Sequence, residues 1–281
     1  MKILITGATG FMGRRAAAHM SALGHHVLTP LHAELDITNQ DNVNHWFHQH
    51  HPEAVIHCAA ISDTGLCQKQ SEWSHRINVT GSVNLAAACS QIGAKFLFCS
   101  SDQVYHASSL PAPHAESEVL MPETVYARQK LLAEQLCFAA CHNTVSLRLS
   151  WMYSTEFLPG EHGHLMTILC DALQKEDTPI IRSVHDFRGI TDVDQVVQNL
   201  PSALELPAGI YNFGAENDLD AYNTLRTVFE TLGLQNALSR LTPDQTSMPR
   251  DIRMDGSLSA SHGIIFPSTV EGLCRALSSL L

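Results

Sequence analysis

Residues 1–13 read MKILITGATGFMG and place three glycines directly after a short apolar run at Ile3–Ile5. Gly7 permits a tight turn after a strand, Gly10 lets the backbone approach a phosphate group, and Gly13 lets the next helix pack closely on a sheet. The first turn of that helix would offer free N–H groups and a partial positive charge. The stretch predicts a turn that binds the pyrophosphate of a dinucleotide, with a purely structural strand-to-helix turn as the alternative.

The composition excludes several classes of protein. Among 281 residues, 17 Lys and Arg stand against 28 Asp and Glu, a formal charge of −11, and no run is rich in Lys or Arg. This balance argues against non-specific binding to nucleic acid or to anionic membranes. No apolar run approaches the ~20 residues that span a bilayer, and Met1 leads directly into the first strand, so no signal sequence is expected. We expect a cytoplasmic protein with neither nucleic acid nor membrane as a partner.

Apolar runs alternate with helical patterns through the first half of the chain. The predicted strands are Ile3–Ile5, His26–Thr29, Ala54–His57, Lys95–Cys99 and Val145–Leu149, and the predicted helices are 11–23, 40–49, 70–92 and 122–141. This alternation predicts an α/β fold with a doubly wound parallel sheet, in which ligands bind beyond the carboxyl ends of the strands. Residues 1–150 should form the dinucleotide-binding domain. Residues 151–281, where the alternation loosens, should form a smaller, interleaved substrate lobe, with some segments returning to the first domain.

Cysteine and histidine do not indicate a metal centre. The eight cysteines are scattered without a CxxC pair, which favours buried free thiols. Four histidines at positions 45, 48, 50 and 51 crowd one segment, and their spacing allows either metal chelation or a solvated polar helix end.

Tyr126 and Lys130 form a YxxxK pair within a helical segment, so a spacing of four places both side chains on one helix face. A tyrosine with a pKa near 10 exchanges protons poorly at pH 7, and a neighbouring ammonium group would bring that pKa closer to neutrality. Ser101 follows a predicted strand 25 residues upstream and could donate a hydrogen bond to a carbonyl oxygen. Taken alone, the pair could be a surface pair and the serine could cap a turn.

Together, the glycine turn, Ser101, Tyr126 and Lys130 resemble the extended short-chain dehydrogenase/reductase superfamily, whose members share a Rossmann fold and a Ser/Thr, Tyr, Lys catalytic set. Further segments resemble its dTDP-4-dehydrorhamnose reductase branch. These are LDIT at 35–38, CAAIS at 58–62, Asn78, SSDQVY at 100–105, Glu116, LRLSWMY at 147–153, GIYNFG at 209–214 and RMDGSL at 253–258. The resemblance spans nearly the whole chain.

The resemblance implies an NAD(P)H-dependent reductase of a nucleotide-linked keto sugar. Tyr126 would act as the general acid, Ser101 would polarise the carbonyl, and Lys130 would hold the nicotinamide ribose and lower the pKa of Tyr126. Besides Lys130, the implied cofactor-binding residues are Gly7, Thr9, Gly10, Phe11, Met12, Gly13, Asp36, Ile37, Cys58, Ala59, Ala60, Asn78 and Ser100. Ser62, Asp102 and Gln103 would contact the substrate.

The chain departs from the pattern of the family at several positions. Gln103 stands where the reductases usually carry an aromatic residue, and Ala127 stands where a glycine usually follows the tyrosine. Some reductases of the family bind a bridging metal through a glutamate on the first helix. Here that helix reads RRAAAHM at 14–20, so we expect no metal.

The second predicted strand bears on the choice of cofactor. Residues 26–32 read HVLTPLH and lack the acid that would bind the ribose 2′-OH of NAD. Arg14 or Arg15 could instead meet a 2′-phosphate through charge-assisted hydrogen bonds. We therefore favour NADP(H), with NAD(H) as the alternative and with solvated arginines as the simpler interpretation.

Several residues beyond position 150 are candidates for holding the substrate. Trp151 could stack on a sugar or base, or simply belong to the core. Arg188 and either Arg250 or Arg253 could pair with a diphosphate in this acidic chain, although a surface position is the default for arginine.

Two other functions share these motifs. One is a sugar-nucleotide epimerase or dehydratase with tightly bound NAD(P), because the Val-Tyr ending of SSDQVY is common in epimerases. The other is a non-catalytic, NADP-binding regulatory subunit. A homodimer is one oligomeric state that the resemblance allows.

Overall fold

The computed structural model describes residues 1–156, 165–174 and 178–280. The chain divides into two compact units. The first unit comprises Met1–Ser108, Glu116–Leu149 and Val197–Asn212, and the second comprises Ser109–Ala115, Ser150–Val196 and Phe213–Leu281. Among the described residues, no helix combines the length and the apolar character needed to cross a membrane.

The first unit is built on a six-stranded sheet with the strand order β10-β5-β4-β3-β1-β2. Its strands are β1 (Lys2–Thr6), β2 (His26–Leu28), β3 (Ala54–His57), β4 (Lys95–Ser101), β5 (Thr144–Leu149) and β10 (Gly209–Phe213). The pairs β1–β2, β1–β3, β3–β4 and β4–β5 are all parallel. Strands buried on both faces are typical of such sheets, which explains why they read as continuous apolar runs. The predicted Rossmann-type parallel sheet is confirmed.

Helices connect these strands. They are α1 (Phe11–Ala22), α2 (Gln40–His50), α3 (Thr64–Lys69), α4 (Ser71–His75), α5 (Ser82–Ile92), α6 (Val125–Ala140) and α9 (Leu200–Glu205). α6 begins where the Thr124 hydroxyl accepts a hydrogen bond from the Ala127 amide at 3.2 Å, a typical N-cap. The core beneath the helices includes Phe47, Phe96 and Phe98.

The predicted helix over 70–92 is wrong in detail. The segment consists of α4, a π-helix at Arg76–Gly81 and α5, and α3 precedes it. A π-helix holds an extra residue per turn, is rare, and often occurs at functional sites. Hydrophobic periodicity could not reveal it, because the only buried residue of α4 is Ser74 and the π-helix buries Asn78 and Gly81 beside Val79.

The second unit contains three two-stranded sheets and several helices. Its strands are β6 (Trp151–Tyr153), β7 (Ile180–Ser183), β8 (Asp186–Phe187), β9 (Ile190–Asp192), β11 (Leu241–Asp244) and β12 (Arg250–Asp251). The strands pair as β6–β9, β7–β11 and β8–β12. Its helices are α7 (Leu165–Gln174), α8 (Val193–Gln198), α10 (Ala221–Thr231), α11 (Gln235–Arg240), α12 (Ser257–Ser261) and α13 (Thr269–Ser278). Its core includes Tyr153, Met166, Phe229 and Leu273.

Candidate active site

The glycine turn joins β1 to α1 with very little space around its backbone. Gly7 has a φ of +68°, and a Cβ atom there would lie 2.7 Å from the Ala59 amide nitrogen. A Cβ atom on Gly13 would collide with the Gly7 carbonyl oxygen, and the Gly10 amide donates to that oxygen at 2.9 Å. Only glycine fits positions 7 and 13, because one needs a positive φ and both lack room for a side chain.

The N-cap residue of α1 is Gly10, which has no side chain. The amide groups in the first turn of α1 therefore receive no side-chain cap. Its amide groups and its helix dipole suit an anionic group. Arg14 donates from Nη2 to the Thr9 carbonyl oxygen at 2.8 Å, which holds its guanidinium beside the loop. Arg15 is buried instead, with its guanidinium 4.6 Å from the centre of the Phe11 ring. Arg15 Nη1 also donates to a nearby backbone carbonyl, that of Phe11 at 2.8 Å, so the two arginines differ in burial: Arg14 is half-buried and Arg15 is buried.

Asp36 and Ile37 follow β2 and are half-buried. The Asp36 carboxylate accepts from the Thr38 amide at 2.9 Å and from the Thr38 hydroxyl at 2.8 Å. Burial alone would raise the pKa of Asp36, but these hydrogen bonds lower it below its ordinary value. The Ile37 side chain packs on Gly81, where a Cβ atom would come within 2.7 Å of it. These contacts give the loop after β2 a defined shape beside the π-helix.

Ser101, Tyr126 and Lys130 lie close together at the carboxyl end of β4. Ser101 is the last residue of β4 and lies close enough to the Tyr126 side chain to lower the pKa of its phenol. Lys130 donates to the Cys99 carbonyl oxygen at 2.7 Å, and its Nζ atom lies 5.9 Å from the centre of the Tyr126 ring. All three catalytic candidates are buried, with at most 8% of their surface exposed.

The electrostatics of this group differ from the sequence-based prediction. Burial raises the pKa of Tyr126 well above its ordinary value, and the charge of Asp102 adds to this, while the hydrogen bond with Ser101 opposes it. Burial also lowers the pKa of Lys130. The prediction that the pKa of Tyr126 moves towards neutrality is therefore wrong in direction, because the loss of water around the phenolate outweighs the hydrogen bond with Ser101.

The loop after β3 carries Cys58, Ala59 and Ala60, all half-buried, and Ser62, which is exposed. Asn78 of the π-helix holds this loop. Its Oδ1 atom accepts from the Ile61 amide at 2.8 Å, and its Nδ2 atom donates to the Ile61 carbonyl oxygen at 3.0 Å. This paired contact fixes the loop as a strand partner would.

Three predicted residues around Ser101 use their side chains within the protein. The Ser100 hydroxyl donates to Glu134, so its side chain points to α6 and leaves only the backbone for a cofactor. The Ser101 hydroxyl donates to the Asp102 carboxylate at 3.1 Å, and the Gln103 side chain donates to the same carboxylate oxygen at 3.3 Å. Asp102 thus orients both neighbours.

The sequence analysis missed a buried ion pair behind this site. Arg148 of β5 and Glu134 of α6 pair through Nη2 and Oε2 at 2.8 Å and Nε and Oε1 at 3.1 Å, with side chains 2% and 1% exposed. Arg148 also donates to the Tyr105 hydroxyl at 2.8 Å. Burial would lower the pKa of Arg148, but the hydrogen bonds and the charge of Glu134 raise it. A charged residue inside the apolar run LRLSW was the available signal.

A cavity of about 290 Å³ lies within the second unit. Its lining includes Trp151 and Arg188, and the Arg188 guanidinium carbon lies 4.8 Å from the centre of the Trp151 ring. Asp186 holds Arg188 at 3.5 Å and binds Arg250 through two hydrogen bonds of 2.8 and 2.6 Å. Burial would raise the pKa of Asp186, but these arginines lower it. Arg182 and Asp186 also line the cavity, so its charged groups are two arginines and one carboxylate beside an indole ring.

The remaining candidate residues are the cysteines, the potential metal ligands and Arg253. All eight cysteines are free thiols, and five are buried, whereas Cys58, Cys170 and Cys274 are half-buried. Within the ranges that the structure describes, no three His, Cys, Asp or Glu side chains gather around a shared metal position. Arg253, the remaining candidate for a diphosphate, pairs with Asp251 at 2.7 Å.

Comparison with known proteins agrees with this arrangement. The chain is 26% identical over 245 residues to the spore coat polysaccharide biosynthesis protein SpsK of Bacillus subtilis (strain 168), covering 87% of this chain and 84% of that protein. It is 34% identical over 152 residues to the dTDP-4-dehydrorhamnose reductase of Mycolicibacterium smegmatis, which is 54% of this chain and only about half (46%) of that reductase. The crystal structure of dTDP-4-dehydrorhamnose reductase from Bacillus anthracis in complex with NADP has the same fold, with a TM-score of 0.84 at 21% identity, covering 100% of this chain and 99% of that chain. The resemblance inferred from the motifs is confirmed: residues 1–266 match the family described as RmlD substrate binding domain, and the chain belongs to that family.

Proposed function

We propose that this protein is an NADPH-dependent reductase that converts a nucleotide-linked keto sugar to the corresponding alcohol. The observation that carries the proposal is the grouping of Ser101, Tyr126 and Lys130 at the end of β4, in the same sheet that carries the glycine turn. The dTDP-4-dehydrorhamnose reductases among its relatives suggest a dTDP-linked 4-keto-6-deoxy sugar as the first substrate to test.

The first unit fits a dinucleotide. The backbone at Gly7 and Gly13 leaves no room for side chains, and the uncapped start of α1 suits a pyrophosphate. Arg14 beside the loop favours a 2′-phosphate, so NADP(H) is the preferred cofactor and NAD(H) the alternative. Besides Arg14, the residues that would hold it are Gly7, Thr9, Gly10, Phe11, Met12, Gly13, Asp36, Ile37, Cys58, Ala59, Ala60, Asn78, Lys130 and the backbone of Ser100. The reduced nicotinamide would supply a hydride for the carbonyl carbon.

The chain supplies the proton and the orientation. Tyr126, like any tyrosine with a pKa at or above its ordinary value, is protonated at neutral pH, so it can donate its phenolic proton to the carbonyl oxygen as that oxygen becomes an alkoxide. The Ser101 hydroxyl, whose single proton goes to Asp102 in this structure, would turn that proton to the same oxygen when the substrate binds. Lys130, a buried cation, stabilises the phenolate that remains on Tyr126.

The second unit would hold the nucleotide end of the substrate. Trp151 offers an indole face for a base or sugar, and Arg188 with its neighbours offers positive charge for a diphosphate. This proposal follows the sequence-based expectation that residues 1–150 mainly bind the cofactor and residues 151–281 mainly bind the substrate.

The test is a turnover assay with purified protein, NADPH or NADH, and a panel of nucleotide-linked keto sugars. Consumption of reduced cofactor in proportion to the alcohol formed supports a reductase. Product without net consumption, together with cofactor that copurifies with the protein, would instead identify an epimerase or dehydratase. Binding of NADPH without turnover on any sugar would favour the regulatory-subunit alternative.

A further inference from the structure

Gln129 lies between Tyr126 and Lys130 on α6, and its side chain is buried at 5% exposure. Its Nε2 atom donates to the Ser71 carbonyl oxygen at 3.1 Å and to the Ser74 hydroxyl at 2.9 Å. Both partners belong to α4. The amide therefore ties the turn of α6 that carries the proposed acid and its lysine to a neighbouring helix.

The same amide also reaches the loop after β3. The Oε1 atom of Gln129 accepts from Asn78 Nδ2 at 2.9 Å, and Asn78 bonds both the amide and the carbonyl oxygen of Ile61. A single buried side chain thus connects α6, α4 and, through the π-helix, the loop proposed to line the cofactor. Buried amides that satisfy both their donors and their acceptors hold one geometry, because any shift leaves a polar group without a partner.

We propose that Gln129 is a positioning residue that sets the distance between the Tyr126–Lys130 turn and the loop after β3. It touches neither reacting atom, and it acts through Asn78 and α4. The expected effect on kcat rests on the proposed reductase activity. The coupling between Gln129 and the loop after β3 does not depend on that activity and can be measured without substrate.

The test is a single substitution that removes the amide and keeps a side chain of similar size. In the Gln129→Met variant, the Ser71 carbonyl oxygen still accepts from the Ser74 hydroxyl at 3.1 Å, and one N–H of Asn78 still donates to the Ile61 carbonyl oxygen. The other N–H of Asn78 loses its acceptor on Gln129 and keeps only the Cys67 sulfur at 3.8 Å, so we expect a loss of about 1–3 kcal/mol in stability, which thermal melting measures. The matched control is Gln135→Met, the same change at an exposed position of the same helix.

Two measurements separate positioning from folding. Hydrogen–deuterium exchange of a peptide covering residues 58–67 should become severalfold faster in Gln129→Met and stay at the wild-type rate in Gln135→Met. In steady-state kinetics, kcat of Gln129→Met should fall roughly tenfold to a hundredfold, with KM for the sugar nucleotide nearly unchanged, since small displacements of reacting groups act on the chemical step. Thermal melting identifies any loss of fold in either variant.

The outcomes are distinct. Exchange and kcat equal to those of Gln135→Met would overturn the proposal. If the wild-type protein turns over no sugar nucleotide, the proposed function fails, but the exchange comparison still decides the coupling. Should Gln129→Met not fold, Ser74→Ala removes one of its contacts alone and should shift exchange and kcat in the same direction by a smaller factor.

Discussion

The Nδ1 atom of His57 lies 2.7 Å from the hydroxyl oxygen of Thr6, and both residues are buried in the sheet. Thr6 is the residue directly before Gly7 of the glycine turn. The other ring nitrogen, Nε2, lies 2.9 Å from the Ser82 hydroxyl, which itself donates to the Asn78 carbonyl oxygen. The single Ser82 proton is thereby used, so His57 must carry its proton on Nε2 and accept from Thr6 on Nδ1. A neutral imidazole fits this site, and an imidazolium does not.

Stability should therefore fall at acidic pH because of His57. Burial, with a smaller contribution from Lys130, lowers its pKa from 6.5 to about 3. Between these two values the unfolded chain binds the extra proton and the folded chain does not, so the stability that is present above pH 6.5 is lost as the pH falls, by up to about 1.4 kcal/mol per pH unit. Urea unfolding between pH 7 and 5 measures this slope.

The control for that experiment is a variant that cannot titrate at this position. His57→Gln should lose stability overall but show a shallower dependence on pH than the wild-type protein. His45→Gln, at an exposed position of α2, should keep the wild-type slope. Equal slopes for His57→Gln and the wild-type protein would contradict the assignment of a neutral buried imidazole.

Loss of the proposed acid should slow the chemistry selectively. Tyr126→Phe keeps the ring that packs in the core but removes the proton donor, so kcat should fall by roughly 10²- to 10⁴-fold. Binding of NADPH, followed by its fluorescence, should change little. Wild-type turnover in this variant would show that another group donates the proton.

Breaking the Arg148–Glu134 pair on one side should be far more harmful than removing both charges. Glu134→Gln leaves a buried guanidinium without its counter-charge and should cost about 3–5 kcal/mol of unfolding free energy. The double variant Glu134→Leu with Arg148→Met should recover part of that loss, because apolar residues of similar size avoid the desolvation penalty while the buried Ser100 hydroxyl loses its acceptor. Chemical denaturation of both variants makes the comparison, and equal destabilisation would argue that the pair acts through shape alone.

Arg14 should determine the preference between the two cofactors. Arg14→Ala should raise KM for NADPH roughly tenfold while KM for NADH stays constant, since a charge-assisted bond to a 2′-phosphate is lost. Arg128→Ala, an exposed change on α6, serves as the control. An equal rise in KM for NADPH and NADH would instead indicate that Arg14 maintains the structure of the glycine turn.

Trp151 should matter for the sugar nucleotide and not for the cofactor. Its indole is 38% exposed and carries the Arg188 guanidinium on one face. Stacking of a base on an aromatic side chain contributes about 1–3 kcal/mol, so Trp151→Ala should raise KM for the sugar nucleotide by roughly tenfold. The KM for NADPH provides the internal reference. An unchanged KM for the sugar nucleotide would show that the substrate does not bind in this cavity.

Much of the fold could be predicted from local patterns. β3 spans Ala54–His57 as expected, because a buried parallel strand is a continuous apolar run bounded by polar residues. The predicted helix at 122–141 corresponds to α6 at Val125–Ala140, where Thr124 supplies the cap. Local patterns did not show the π-helix within 70–92, where Asn78 bonds Ile61, 17 residues away in the chain.

The candidate site divides in the same way. Motif spacing identified Ser101, Tyr126 and Lys130 as a set, because one strand end and one helix face carry them. It could not give the direction of the Tyr126 pKa, which depends on how completely the fold excludes water. Nor could it reveal Gln129 or Glu134, because their partners are 51 to 58 residues away for Gln129 and 14 to 34 residues away for Glu134.

The π-helix at Arg76–Gly81 makes the length of this segment a constraint in its own right. Each residue of an ordinary helix turns the chain by about 100°, so deleting one residue here would rotate Asn78 away from Ile61 even if every remaining side chain were unchanged. In evolutionary terms, substitutions at the solvent face of this segment should be tolerated, whereas deletion of a single codon would break the contact between Asn78 and Ile61 in one step.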